Sequence, residues 1–170
     1  MIIIDYYHEI KEQLINNEIH NRVKDYSKNR SDLNTYYNVG KLLSDAGKHY
    51  GEGIIKEYSA RLSIDFNKKY DCSTLNKMRK FYFLVEKMAT VSPKLTYSHY
   101  VELLPFDDIK KISYYIKITE EYNLSIRELR LRIKNDEYER LPEKTRNSII
   151  ISDKPKIGSF TKNPIIIKNK

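Results

Sequence analysis

The segment Ser73 to Met88 sets two chemistries on opposite sides of one predicted helix. Leu75, Met78, Tyr82 and Val85 follow the i, i+3, i+7, i+10 spacing of a core-facing stripe, which predicts a helix over Thr74 to Met88. At about 100° per residue, Asn76, Lys80, Phe83 and Lys87 share the other face, with Arg79 at its edge and Lys77 further round. An Asn amide pairs with adenine and an Arg guanidinium with guanine through two hydrogen bonds each, so Asn76 and Arg79 are the candidate base readers. Lys77 and Lys80 suit phosphates, and Lys87 extends the same face. Ser73 is the predicted N-cap, because its hydroxyl can accept from the exposed N–H groups of the first turn. Ser98 and His99 open the next short helix, where a phosphate could be held by backbone amides; a satisfied, half-buried His99 is the alternative reading.

The element that would position this helix lies just before it. Ile54 to Phe66 is a second amphipathic pattern, separated from the first by the polar break Asn67 to Ser73. Two helices joined by a tight polar turn are the unit of the helix-turn-helix DNA readers. From Lys68 to Met88 there are six cations (Lys68, Lys69, Lys77, Arg79, Lys80, Lys87) against Asp71 and Glu86, which is half of the excess carried by the whole chain. A solvated helix face explains the same charges without a ligand. Phe83 fits poorly on a groove-facing surface and points to a partner helix or a second subunit.

The remaining elements are mostly helical. A first helix carries Ile10, Leu14 and Ile15 and continues through Ile19 to Val23, with Ser27 to Ser31 polar enough to break or bend it. A second runs from Ser31 or Asp32 through Tyr36, Val39, Leu42 and Leu43 to about Ala46, and the glycine-rich stretch Gly47 to Gly53 is a predicted loop. Beyond Ser92-Pro93, a short helix Ser98 to Leu104 stops at Pro105, and another runs from Phe106-Asp107-Asp108 to Tyr122, ended by Asn123. Ser125 with Glu128 forms a capping box for a helix whose Ile126, Leu129 and Ile133 face inward. After Pro142 the β-branched runs Ser148 to Ser152 and Pro164 to Ile167 read as two short strands or an extended linker. The predicted fold is therefore mostly α, a helix-turn-helix or winged-helix-like bundle over 1–141 with a short β-prone tail over 142–170.

Catalytic constellations are sparse. The lone Glu-x-Lys, Glu9-Ile10-Lys11 with Asp5 upstream, lies in a helical run, where residues i and i+2 do not face each other. His8, His20, His49 and His99 are scattered without metal-ligand spacing. Gly51-Glu52-Gly53 lacks the preceding strand and third glycine of a phosphate loop and reads as a turn. Cys72 is the single cysteine, which rules out an internal disulfide and reads as a small packed residue. No cofactor, no metal and no enzymatic activity are expected of this chain.

Composition bounds the rest. The chain has 170 residues, 40% of them hydrophobic, enough for one domain with a real core plus a tail. A net charge of +8 and a pI near 9.3 favour a polyanionic partner. The apolar opening Met1 to Ile4 is broken by Asp5, too short for a signal peptide or a span, so a soluble, cytoplasmic protein is expected. Most of the fifteen tyrosines read as core: Tyr36, Tyr82 and Tyr115 fall in apolar stripes, and the pairs Tyr36-Tyr37 and Tyr114-Tyr115 put one ring inward and one at the rim. Arg127, Arg130, Arg132 and Lys134 form a second basic cluster, partly offset by Glu128, Asp136 and Glu137, and read as a solvated face.

Several motifs stand in register with a known family. Tyr36-Tyr37-Asn38-Val39-Gly40-Lys41-Leu42, Tyr50-Gly51, Tyr58-Ser59-Ala60-Arg61-Leu62, Ser73 through Tyr82, Leu95 through Leu104, Tyr114-Tyr115 and Leu124 through Leu129 together resemble the N-terminal domain of YhcG-type proteins of the PDDEXK nuclease superfamily. Tyr97 stands where that family usually has Trp. The resemblance covers about Asp5 to Leu141 and implies a helical, helix-turn-helix or winged-helix-like module for DNA binding or target recognition, placed before a separate nuclease domain. Gly158 through Ile167 is similar to the family's lead-in to that nuclease, and the catalytic half itself is not expected within these residues. Two functions follow as expectations: a non-catalytic module that binds double-stranded DNA, as a homodimer, with a nuclease domain in cis if the full-length protein is longer; or a protein-interaction or dimerisation module without DNA contact.

Overall fold

The computed structural model describes residues 4–23, 25–88 and 91–149. Among these the secondary structure is helical, with eight helices and no strand: α1 (Tyr6–Val23), α2 (Asp25–Tyr50), α3 (Gly53–Asp65), α4 (Cys72–Lys87), α5 (Tyr97–Leu103), α6 (Ile109–Tyr122), α7 (Ile126–Lys134) and α8 (Glu143–Asn147). The mostly-α expectation holds. The chain divides between Phe83 and Leu84 into two compact units. The expected strand Pro164 to Ile167, and Ser148 to Ser152 from Ile150 onward, lie outside the described residues.

In the first unit α1 and α2 form an antiparallel hairpin. Asn17 Nδ2 donates to Asp32 Oδ1 (2.9 Å), Asn38 Nδ2 to Gln13 Oε1 (3.4 Å), and the Tyr6 ring meets that of Tyr50 at 6.1 Å, so residue numbers fall along one helix as they rise along the other. Tyr7, Ile10, Leu14 and Asn17 make the buried stripe of α1, the i, i+3, i+7, i+10 pattern of a helix covered on one side. The expected break at Ser27 to Ser31 is not there, because α2 already begins at Asp25. Its polarity is used inside the hairpin, where the buried Ser31 hydroxyl donates to Asn17 Oδ1 at 2.5 Å. A serine that finds a partner on the facing helix no longer competes with its own backbone.

The predicted loop Gly47 to Gly53 is also mostly helix. α2 continues to Tyr50 and closes at Gly51, whose φ of +86° suits a residue without Cβ and whose N–H donates to Gly47 O at 2.9 Å. Glycine enters this helix for packing. A Cβ on Gly40 would stand 2.1 Å from the Met78 carbonyl oxygen and 2.9 Å from Tyr82 Cβ, so α2 and α4 cross with backbone against backbone at this point.

Helix α3 is tied to α1 by a polar and aromatic set. The Tyr7 hydroxyl donates to Asp65 Oδ2 (2.5 Å), Lys11 Nζ lies 3.3 Å from the same oxygen, and the Arg61 guanidinium covers the Tyr7 ring at 3.6 Å. After Phe66 the chain turns through Asn67 at φ 49°. Tyr70 then docks back on α3, accepting at its carbonyl from Ser59 Oγ (2.7 Å) and donating its N–H to Ser63 Oγ (3.0 Å). That docking fixes where α4 begins.

The second unit has its own core around Tyr115, Leu95, Leu103, Ile112 and Leu129. Its local signals act as the sequence predicts. Asp108 caps α6 by accepting from the Lys110 and Lys111 N–H groups, Asn123 ends it at φ 52°, and Ser125 with Glu128 completes both bonds of a capping box on α7. Leu129 is fully buried, while Ile126 and Ile133 are half-buried. Of the paired tyrosines, Tyr115 and Tyr37 are the buried members and Tyr114 and Tyr36 stand at the rim, so Tyr37 takes the inward place expected of Tyr36. Helix α8 was not foreseen; it starts after Pro142, and Glu143 in its first turn with Arg146 in its last complement the helix dipole.

Candidate nucleic-acid interface

Helix α4 starts earlier than predicted, and a different residue caps it. Asp71 Oδ1 accepts from the Thr74 N–H and from Thr74 Oγ1, both at 2.8 Å, and Asp71 O receives the Leu75 N–H at 3.1 Å. The cap is therefore Asp71, and Ser73 is an exposed residue of the first turn. The bond from Thr74 N–H holds the Asp71 carboxyl below the usual carboxylate range. Tyr70, pinned to α3, leaves Asp71 as the first residue with a side chain placed to reach those amides.

On the body of α4, Leu75, Met78 and Phe81 are buried, Tyr82 is half-buried, and Ser73, Asn76, Lys77, Lys80 and Phe83 are exposed. The helix thus turns the expected polar side outward within the first unit. Lys77 and Lys80 have no ion-pair partner among the described residues, so two ammonium groups stand open to solvent one turn apart.

Arg79 is placed otherwise. Its Nη1 donates to Glu52 Oε2 at 2.7 Å and to Asn76 Oδ1 at 3.3 Å, and its Nη2 donates to Glu52 Oε1 at 3.0 Å. This is a bidentate pair, and the hydrogen bonds from Arg79 lower the Glu52 pKa below its ordinary value. The guanidinium that sequence reasoning assigned to guanine is already engaged. The residue missed was Glu52, read only as part of a turn. A weak signal existed in Gly47: a Cβ there would lie 2.9 Å from Glu52 Oε1 and 3.4 Å from Arg79 Nη2, so a mid-helix glycine marks the room the pair needs.

The neighbouring cations of the turn are also engaged. Lys68 pairs with Glu18 of α1, and its ammonium lies 5.1 Å over the Tyr70 ring. Burial disfavours that charge, yet hydrogen bonds to Glu18 and Tyr70 more than offset it and the Lys68 pKa lies above the ordinary lysine value. Lys69 sits 3.4 Å from Asp71 Oδ2. Of the six cations counted from Lys68 to Met88, three are neutralised locally.

The last two predicted site residues belong to the second unit. Lys87 is exposed at the end of α4. His99 is buried with both ring nitrogens engaged inside the chain: its Nδ1 accepts from the Thr96 N–H at 3.0 Å, which leaves the proton on Nε2 to be donated to Leu124 O at 2.9 Å. Thr96 and His99 form a reciprocal capping box on α5. The phosphate role suggested for His99 is corrected on that ground. In the basic cluster of α7, Arg130 is held by Glu102 (2.6 and 3.1 Å) and Arg132 by Glu137 (3.1 Å), which matches a solvated, internally compensated face.

For catalysis, Glu9 and Lys11 lie on α1 and Lys11 serves Asp65 of α3. Among the described residues no three His, Cys, Asp or Glu side chains converge as a metal site requires, and no helix is long and apolar enough to cross a membrane.

A family model described as the DUF1016 N-terminal domain matches residues 9–140. The chain belongs to this family, the YhcG-type one. No curated protein and no solved structure matches it. The DUF1016 N-terminal domain match takes in the α3–turn–α4 unit, the Glu52–Arg79 pair and the buried His99 alike.

Proposed function

We propose that this DUF1016 N-terminal domain is a non-catalytic, cytoplasmic DNA-binding module, and that α4 carries the contact. The observation that supports the reading is the pair of solvent-facing ammonium groups of Lys77 and Lys80, without an ion-pair partner among the described residues and flanked by Ser73 and Asn76, on α4 just after its short link from α3, in a chain of net charge +8. Lys77 and Lys80 hold phosphates and Ser73 adds a hydroxyl at the edge. Asn76 is the base reader. If the full-length protein is longer, any cleavage falls to a PDDEXK nuclease domain in cis.

The test is fluorescence anisotropy on duplex DNA over a salt series. Each phosphate neutralised contributes about 0.9 to the slope of log K against log salt, so Lys77→Ala/Lys80→Ala should lower the slope by about two and weaken binding several-fold. Equal slopes for wild type and variant would refute the assignment.

A second reading rests on Phe83, which is 42% exposed on that side of α4. An aromatic ring among the polar residues favours burial against a second copy, and a homodimer would present two reading helices to paired half-sites. Sedimentation equilibrium of wild type and Phe83→Ser checks it: a dimer lost in the variant supports the reading, and a monomer throughout overturns it.

A further inference from the structure

The pair between Glu52 and Arg79 is unequal in its two ends. The Arg79 side chain is only 16% exposed, whereas that of Glu52 is 71% exposed. The arginine is thus a fixed host and the carboxylate a guest held at the surface.

Three further features fit that description. Glu52 stands between Gly51 at φ +86° and Gly53, in the short link from α2 to α3, and its side chain does not cap α3. Gly47 keeps clear the space in which the carboxylate oxygens sit. The Arg79 Nε is buried without an acceptor, so the pair leaves part of the donor set unused. A guanidinium fork offers the same two parallel N–H groups to a phosphate as to a carboxylate, and Lys80, the next residue, is exposed beside it.

We infer that Arg79 is a phosphodiester subsite whose place is held by Glu52 until a nucleic-acid phosphate displaces it. The inference rests on the DNA-binding reading above and deepens it. It moves Arg79 from base reader to backbone clamp and makes Glu52 an internal competitor for DNA. A largely exposed carboxylate pairs weakly enough to be exchanged. Displacement needs only the Glu52 side chain to swing into solvent about a link flanked by two glycines.

The test measures duplex DNA affinity for wild type, Glu52→Gln, Arg79→Gln and the double variant, with Glu57→Gln as a control that removes one exposed carboxylate from α3. An amide cannot fill both arms of the fork, so Glu52→Gln should tighten binding about fivefold. Glu57→Gln should change it less, and Glu52→Gln should gain nothing beyond the control once Arg79 is Gln. Circular dichroism confirms that each variant is folded. Wild-type binding with Glu52→Gln no tighter than Glu57→Gln, or an equal gain in the Arg79→Gln background, overturns the subsite and leaves the DNA-binding reading intact. Failure of both wild type and Glu52→Gln to bind DNA overturns the two together.

Discussion

Gly40→Ala should destabilise the first unit although it adds a better helix former to the interior of a helix. In a site with room, the change would stabilise α2 by about 1 kcal/mol. Here the new Cβ would lie 2.1 Å from Met78 O and 2.7 Å from Met78 C, against 3.4 Å for ordinary contact. The opposing atoms are backbone, which cannot rotate away, so α2 and α4 must part by about 1 Å and loosen Leu75, Met78 and Phe81 around the crossing. Overpacking costs of about 1–3 kcal/mol are usual, and a backbone clash belongs at the upper end. The net loss is then about 2 kcal/mol, or a fall in Tm of about 4–8 °C for a chain of this size. Thermal and urea unfolding followed by circular dichroism measure it, with Gly53→Ala as the control because nothing lies within 4 Å of its added Cβ. A Gly40→Ala protein as stable as wild type would refute the close crossing.

Three further outcomes are expected. Asp71→Ala should cost about 1 kcal/mol and Ser73→Ala almost nothing in the same unfolding assay, since the first removes the cap of α4; the reverse order would restore Ser73 as cap. His99→Phe leaves the Thr96 N–H and the Leu124 carbonyl unpaired in the core of the second unit, so it should cost about 3 kcal/mol while the folded variant binds DNA as wild type does; a selective loss of binding would reinstate the phosphate role. Burial with the hydrogen bond to Asp65 pushes the Tyr7 phenol up to about 12, and burial with Asp32 nearby pushes Tyr36 up to about 12, from an ordinary 10.0. Because the folded values lie above the unfolded one, their stabilisation is intact below pH 10 and is lost as pH rises toward 12. Tyrosinate absorbance of wild type beside Tyr7→Phe and Tyr36→Phe should show each substitution removing a late-titrating phenol from the native protein, and loss of a phenol from the ordinary range instead would contradict the shift at that ring.

What was legible in the sequence was local. The Asn123 stop and the Ser125–Glu128 box depend on residues within one or two turns and are found as read, and the apolar stripe of α4 is found at Leu75, Met78 and Val85, with Phe81 buried and the expected Tyr82 only half-buried. Gly47 misled because glycine weakens a helix by itself, yet here it leaves room for the nearby Glu52 and for Arg79 of α4, just as Gly40 leaves room for Met78 and Tyr82. The choice between Asp71 and Ser73 as cap was chemically even, and the docking of Tyr70 on Ser59 and Ser63 decided it. Arg79 has the type and spacing of a base reader; its engagement by Glu52 follows from how α2 ends, which periodicity does not encode. His99 likewise lies at a helix start as expected, but its ring is turned inward to Thr96 and Leu124.

The ties between α1 and α3 carry a consequence of their own. Apolar side chains hold helices together with less preference for rotation about the long axis, whereas Tyr7 reaching Asp65, Lys11 beside the same carboxylate and Arg61 stacked on Tyr7 are satisfied at a single roll and register of α3. Since Tyr70 is fastened to α3 just ahead of Asp71, that roll sets the bearing on which α4 departs. Substitutions at Tyr7 or Asp65 would then change the bearing of α4 in a folded bundle, and under the proposed DNA-binding role they would alter which DNA is bound without replacing Lys77 or Lys80.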